Sequence, residues 1–460
     1  IKYFLNALTI NSKYAEAFNN LGSCNFSLGQ IQSAINNYQE SILINPNYAE
    51  AHNSLGNAFI SIGKNQLGIQ CFEKAIAIKP NFAEAYNSLG NVYKKLKQRD
   101  KAYQFYIKAY EIDSNLSYVF GSILNSKMHL CIWDDLTSEL QDLQDRINNQ
   151  EKVIDPFNLM GLIDNPSIQR KAIEHLMNRD YPKNHSLSQI NQYPKHSKIR
   201  IGYFSADFRE HPVSTLTAEL YELHNREHFE VHAFSFGPDT KDEMNLRIKH
   251  GVDFFHDVES SSDKEIAQLA RSLEIDIAID LVGHTGGSRV DIFALSAAPI
   301  QASYLGFTGT MASDYYDYLI GDATVIPEES QKHYAEKIAY LPNSYFVNDS
   351  KNHASDRIFT REEVNLPKDA IVFCCFNNYY KISPSTFKSW MNIMFKVKNS
   401  ILWLPKGNST AIEHLKNEAK KKGIETSRFI FAQHLPSMED HFNRLKLADL
   451  FLDTNQGKRL

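Results

Sequence analysis

Residues 198–216, KIRIGYFSADFREHPVSTL, pass from an apolar stretch into a loop that holds an aspartate, a histidine and a proline. Ile199 to Ser205 reads as a strand, and His211 and Pro212 fall in the loop just after it. From here on, short apolar runs alternate with amphipathic helices, the signature of a parallel α/β sheet, where ligands gather at the carboxyl ends of the strands. Asp207 and His211-Pro212 would stand on that edge.

The pattern recurs downstream. Strands are expected at Ile199 to Ser205, Phe229 to Phe236, Ile275 to Val282 and Gln301 to Leu305, separated by amphipathic helices. The third is followed by Gly283-His284-Thr285-Gly286-Gly287 and the fourth by Gly306-Phe307-Thr308-Gly309-Thr310. Glycines let backbone approach a ligand, hydroxyls donate hydrogen bonds, and a histidine exchanges a proton near neutral pH. Each signal has a plain alternative, since a loop histidine often caps a helix and Gly-Gly often marks a turn. Their convergence on one edge singles out His211.

After a segment from about Tyr345 to Pro367, a second series of strands is expected at Ile371 to Phe376, Ile401 to Leu404, Arg428 to Phe431 and Leu450 to Asp453. Behind its first strand stands Asn377-Asn378-Tyr379-Tyr380-Lys381-Ile382-Ser383-Pro384. Ser383 suits an N-cap and Pro384 the first helical position, which puts Lys381 beside a helix N-terminus. An ammonium and free backbone donors suit a phosphate; a solvated loop lysine is the alternative. Two such lobes across a cleft are the layout expected of a nucleotide-sugar glycosyltransferase.

Upstream the sequence is of another kind. Leu21-Gly22, Leu55-Gly56 and Leu89-Gly90 recur at 34 residues, in phase with Tyr38, Phe72, Tyr106 and with Ser41, Ala75, Ala109. This is two antiparallel helices per unit, stacked as a solenoid and similar to the tetratricopeptide repeat, with three units over residues 15–116. Phe4 and Ala7 keep the phase, so residues 1–14 read as the back half of an earlier unit and the array as cut at its start. Asn19, Asn53 and Asn87, with Asn57 and Asn91 one turn on, share a helix face. Such a row could hold the backbone of an extended peptide; solvated surface asparagines are the alternative. Residues 117–196 read as a helical connector without chemistry of its own, closed by a polar loop from Asn184 to Ser197.

At 460 residues and about 150 per domain, roughly three domains are expected. The net charge of −5 gives no electrostatic case for nucleic acid, and no apolar run approaches a membrane span. Cys24, Cys71, Cys131, Cys374 and Cys375 lack metal-ligand or disulfide spacing, which fits a reducing, cytoplasmic setting. Targeting cannot be read from a chain that begins at Ile1 within a helical pattern.

The strings IRIGYFSADFREHPVS, APIQASYLGFTGT, YAEKIAYLP, FNNYYKISP and LADLFLDT follow one another in this order behind the repeats. In these the chain resembles the O-linked N-acetylglucosamine transferase family, bacterial type, over essentially its whole length. The resemblance implies an α-solenoid of tetratricopeptide repeats (residues 1–116) and a helical connector (117–196) before a GT-B double Rossmann-like region with lobes at 197–345 and 346–460. It implies inverting transfer of N-acetylglucosamine or a related sugar from a UDP-sugar to Ser or Thr of proteins held by the repeats, with no cofactor or metal. His211 matches the family's proposed base or acceptor organiser. Lys381 matches the lysine that neutralises the leaving diphosphate, and Tyr380 its active-site neighbour. His441 falls near the uridine, and Leu305 and Gly306 in the loop lining the sugar pocket.

The sequence departs from the family at Thr308, usually proline, and from animal members at Asn378 for glutamine, Gly286 for lysine and Met438 for a donor-site lysine. Sugar identity is thereby open, with glucosyl or fucosyl transfer as alternatives. The animal asparagine ladder falls on Asn20, Ser54 and Ser88, which implies weaker peptide binding there. The family continues past the Asp453-Thr454 segment into a His-Thr-Thr phosphate site, where this chain reads Asn455 to Leu460. The second lobe is therefore expected to be incomplete, the chain a fragment of low activity, and a repeat scaffold with a degenerate transferase domain stands as the rival.

Overall fold

The computed structural model describes residues 1–190 and 193–454. Seven helices open the chain: α1 (Lys2–Ile10), α2 (Ala15–Ser27), α3 (Ile31–Ile44), α4 (Ala49–Ser61), α5 (Asn65–Ile78), α6 (Ala83–Lys95) and α7 (Arg99–Ile112). The 34-residue period has a steric cause. In each pair a glycine of the first helix receives the ring of the second: a Cβ on Gly22, Gly56 or Gly90 would lie 2.6, 2.5 or 2.5 Å from Tyr38, Phe72 or Tyr106. Gly29 and Gly63 turn the chain between helices at φ +73° and +76°, and Lys97 takes the same place at φ +59° in the third unit.

The connector is α8 (Val119–His129), α9 (Leu136–Asn148), α10 (Pro156–Met160) and α11 (Pro166–Asp180). Asn165 caps α11 ahead of Pro166, as their order in the sequence suggests. The connector binds both lobes to the repeats. Leu130 C=O bonds His414 Nδ1 at 2.7 Å and Trp133 packs 5.3 Å from Phe387, while Arg170 donates to Lys332 C=O at 2.8 Å. The third repeat touches the second lobe directly, through Asn408 Nδ2 donating to Asp100 Oδ2 at 2.6 Å.

The first lobe has β1 (Ile199–Ser205), α12 (Pro212–Leu223), β2 (Phe229–Ser235), α13 (Glu243–Gly251), β3 (Phe254–Asp257), α14 (Asp263–Ser272), β4 (Ile277–Asp280), α15 (Asp291–Ala294), β5 (Ile300–Ser303), β6 (Tyr318–Gly321) and β7 (Lys337–Tyr340). These strands form a parallel sheet of order β3-β2-β1-β4-β5-β6-β7. Three of them, β3, β6 and β7, were not expected from the sequence. Each is four residues long, and β3 and β7 end the sheet with no fully buried position, so they lack the apolar run that marks a central strand.

The second lobe has β8 (Ile371–Cys374), α16 (Pro384–Lys396), β9 (Ser400–Pro405), α17 (Ser409–Lys421), β10 (Phe429–Ala432), α18 (Met438–Arg444) and β11 (Leu450–Phe451), with parallel order β10-β9-β8-β11. Cys374 and Cys375 are buried in different apolar clusters, as neighbours on and just past a strand should be. Residues 455–460, on which the expectation of an incomplete lobe rests, lie outside the described residues.

A methyl group or larger at the glycine of a repeat must displace a buried ring. Gly56→Val is therefore expected to destabilise the repeat array by about 1–3 kcal/mol in urea unfolding followed by circular dichroism; an unchanged midpoint would contradict the ring-on-glycine packing.

Candidate functional site

Strand order reverses between β1 and β4 in the first sheet and between β8 and β11 in the second. Loops leaving such neighbours diverge and open a crevice. The loops concerned carry His211 after β1, His284 after β4, Lys381 after β8 and Asp453 after β11.

Buried carboxylates shape the first wall. Asp280, at the end of β4, accepts from Tyr316 hydroxyl at 2.6 Å, Val282 N–H at 2.8 Å and Gly283 N–H at 3.0 Å. Glu336 accepts from Thr310 hydroxyl at 2.7 Å and from the N–H groups of Met311 and Ala312 at 2.5 and 3.2 Å. Burial pushes both carboxyls above the usual carboxylate range. Leu305 is held at φ +65°, and a Cβ on Gly306 would lie 1.9 Å from Leu281 C=O, so this loop requires glycine against β4. Asp242 fixes the neighbouring loop by accepting from Glu210 N–H at 3.0 Å.

His211 caps α12, with Nδ1 3.4 Å from Val213 N–H. The same nitrogen lies 3.6 Å from Asp207 Oδ2. Burial pushes the imidazole pKa down, and the Asp207 charge opposes the shift. His284 stands edge-on to Phe307 at 5.2 Å, and burial pushes its pKa down to about 4.

On the second wall a 3-10 turn, Tyr379–Lys381, leads into α16, which Ser383 caps through Thr386 N–H. Lys381 is half-buried beside that N-terminus. Burial pushes its pKa down, opposed by the charge of Asp453. His441 lies on α18, edge-on to Phe376 at 5.1 Å, and its Nδ1 accepts from Arg444 Nε at 3.0 Å. Because an arginine only donates, Nδ1 is bare and the proton of the neutral ring sits on Nε2. A cavity of about 490 Å³ joins the walls, with Glu210 on the first side and Phe376, Lys406, His434 and His441 among those on the second. Met438 also lines it and is 53% exposed.

Other expected residues stand elsewhere. Tyr380 turns its ring onto the connector, 4.9 Å from His129 and against Gly161. Thr308 is buried in a small recess lined by Met160 and Pro166. Asn378 is exposed. In the repeats Asn19 is buried, Asn53 and Asn87 are half-buried, and Asn57 and Asn91 are exposed. Asn91 Oδ1 accepts from Tyr106 hydroxyl at 2.9 Å. The sequence reading passed over Asp280, Glu336 and Arg444. Asp280 had left a signal, an acid that closes the apolar run Ile277-Ala278-Ile279.

Residues 168–359 and 354–458 match glycosyl transferase family 41. The chain belongs to this family. Residues 25–63, 56–97 and 83–116 match tetratricopeptide repeats. Among family relatives, a protein of Arabidopsis thaliana named probable UDP-N-acetylglucosamine–peptide N-acetylglucosaminyltransferase SEC is 32% identical over 72% of this chain and 36% of its own length. The UDP-N-acetylglucosamine–peptide N-acetylglucosaminyltransferase of Caenorhabditis elegans is 26% identical over 56% of the chain and 32% of its own. The chain thus spans about a third of the length of these curated relatives. A mutant O-GlcNAc transferase of Thermobaculum terrenum shares the fold, with a TM-score of 0.62 at 22% identity over 96% of this chain and 78% of that one.

Burial raises the pKa of Asp280 and Glu336, so only between the ordinary carboxyl range and the raised one does the folded chain hold protons that the unfolded chain releases. Their burial therefore lowers stability as pH rises from the ordinary carboxyl range through the raised one. Glu336→Gln should flatten that fall relative to the unsubstituted protein in urea titrations at stepped pH; parallel curves would contradict the assignment.

Proposed function

We propose that this chain carries the reaction centre of a protein O-glycosyltransferase that moves N-acetylglucosamine, or a related sugar, from a UDP-sugar to Ser or Thr with inversion. The observation that supports it is a cavity of the second lobe, lined by Lys406, His434 and His441, that Glu210 of the His211 loop reaches from the first lobe, with Lys381 on the neighbouring loop behind β8. The names of the relatives support the donor and the polypeptide acceptor.

In this reading His211 Nε2 takes the proton of the acceptor hydroxyl, whose oxygen attacks the anomeric carbon from the face opposite the leaving group. The bond from that carbon to the diphosphate breaks, and the diphosphate leaves with the electron pair. Lys381 and the N-terminal amides of α16 meet its charge, so the step needs positive potential rather than an acid or a divalent metal. His441 Nε2–H serves as a fixed donor to the nucleotide. Leu305 and Gly306 shape the sugar pocket, and Asn378 stands on the donor side, while Thr308 and Tyr380 support the loops from the connector face. Asn19, Asn53, Asn57, Asn87 and Asn91 line the acceptor path along the repeats. We place the protein in the cytoplasm, in keeping with its five free cysteines; no helix among the described residues is long and apolar enough to cross a membrane.

Calorimetry with UDP and transfer to a Ser/Thr peptide test this in the full-length protein. His211→Ala should keep nucleotide affinity and lose rate on the order of 100-fold. Lys381→Ala should lose both affinity and rate, and EDTA should change neither. Absence of UDP binding would overturn the reading, and binding without transfer to any peptide would favour a scaffold.

A further inference from the structure

One nitrogen of His211 has two partners that exclude each other. Val213 N–H, 3.4 Å from Nδ1, requires a bare nitrogen to accept it, whereas Asp207 Oδ2, 3.6 Å away, requires a protonated one to donate. A neutral imidazole carries a single proton. When Nδ1 caps α12 the proton is on Nε2, and the ring cannot act as a base through that atom. When Nδ1–H turns to the carboxylate, Nε2 is bare.

Asp207 is placed to decide between these states. It is 6% exposed, in a class of residue that is seldom buried without partners. Its N–H donates to Ser205 Oγ at 3.0 Å, and its C=O accepts from Arg209 N–H at 2.7 Å and from the Ser214 hydroxyl. Arg209 Nη2 donates to Oδ1 at 3.2 Å, which leaves Oδ2 toward His211. The Asp207 backbone is thus fixed from three sides, and Arg209 holds one oxygen of its carboxylate.

We propose that Asp207 is a positioning residue: it selects the basic tautomer of His211 and stabilises the imidazolium formed when the acceptor hydroxyl gives up its proton. This rests on the transferase reading above. Once Nε2 has bonded that proton, both ring nitrogens are donors, and Nδ1–H has no use for the Val213 amide. Asp207 then accepts from it. The interaction is stronger with the charged ring than with the neutral one, so it acts on the transition state more than on ligand binding.

The charged groups around the ring are Asp207 and Arg209 of its own loop, of which the first raises and the second lowers the imidazole pKa. Glu210 is adjacent in sequence, and Asp242 on α13 is engaged by Glu210 N–H and Thr240. Lys406, His441 and Arg444 line the cavity that the adjacent Glu210 borders.

Asp207→Asn removes the negative charge and leaves the volume. In the full-length protein kcat should fall about 10-fold or more while UDP affinity holds. Loss of a charge that raises the His211 pKa should move the acidic limb of kcat/KM to lower pH, and Asp207→Glu should restore part of both. Nitrogen-15 spectra of labelled histidine give a readout independent of turnover: with UDP bound, His211 Nδ1 should be protonated in the unsubstituted protein and bare in Asp207→Asn. An unmoved limb, or equal loss of kcat and nucleotide affinity, would overturn the proposal. If the unsubstituted protein transfers nothing, the transferase reading fails, and the spectra still decide: Nδ1 bare in both proteins refutes the role given to Asp207.

Discussion

The carboxylate of Asp280, buried at the end of β4 and filled by one hydroxyl and two backbone N–H groups, is the constraint on which the first wall of the cleft depends. A parallel sheet brings its strand ends to one edge but leaves the loops beyond them free to choose a path. Here that choice is removed. Asp280 turns the chain through Gly283 at φ +55°, Glu336 gathers residues 310–312, and Asp242 holds the backbone beside His211. A buried carboxylate is tolerable only when its oxygens are occupied, so each group forces the loop amides into one arrangement.

The lobes are joined with similar economy. Asp349 pairs with Arg247 of α13, and Ser350 donates twice to Glu219 of α12, each at 2.6 Å. Five residues later Ser355 N–H bonds Glu439 C=O, and Asn443 Nδ2 donates to Ser355 C=O at 2.7 Å. This strap runs from the helix that His211 caps to the helix that carries His441. Lobe approach and the spacing of the two histidines are therefore set by one short segment. The connector does the same for the repeats, which reach the second lobe through Asp100, Leu130 and Trp133.

Much of this could be read in the chain. The repeat was legible because a ring against a glycine fixes both residue types at a constant interval, and β1 because its apolar run ends in a loop of unusual composition. Helix starts at Asn165-Pro166 and Ser383-Pro384 were legible for the same local reason: a cap and a proline act on their own turn. The four-residue strands β3, β6 and β7 were not, since their pairing is supplied by other strands rather than by an apolar pattern of their own. Placement across the cleft was also hidden. Nothing in NNYYKIS tells that Tyr380 packs on His129, because that depends on where the connector lies. Arg444 could not be seen as the partner of His441 without knowing that residues 438–444 are helical. His211 is the helix cap that its plain reading offered; its role as a base belongs to the proposal.

The central claim is that one nucleotide-sugar site is built from both lobes. Hydrogen–deuterium exchange with and without UDP tests it most directly. The account predicts joint protection of residues 206–213 on the first wall and of 377–387 and 434–444 on the second, with the repeats unchanged. Protection confined to one lobe, or none at saturating UDP, would contradict it.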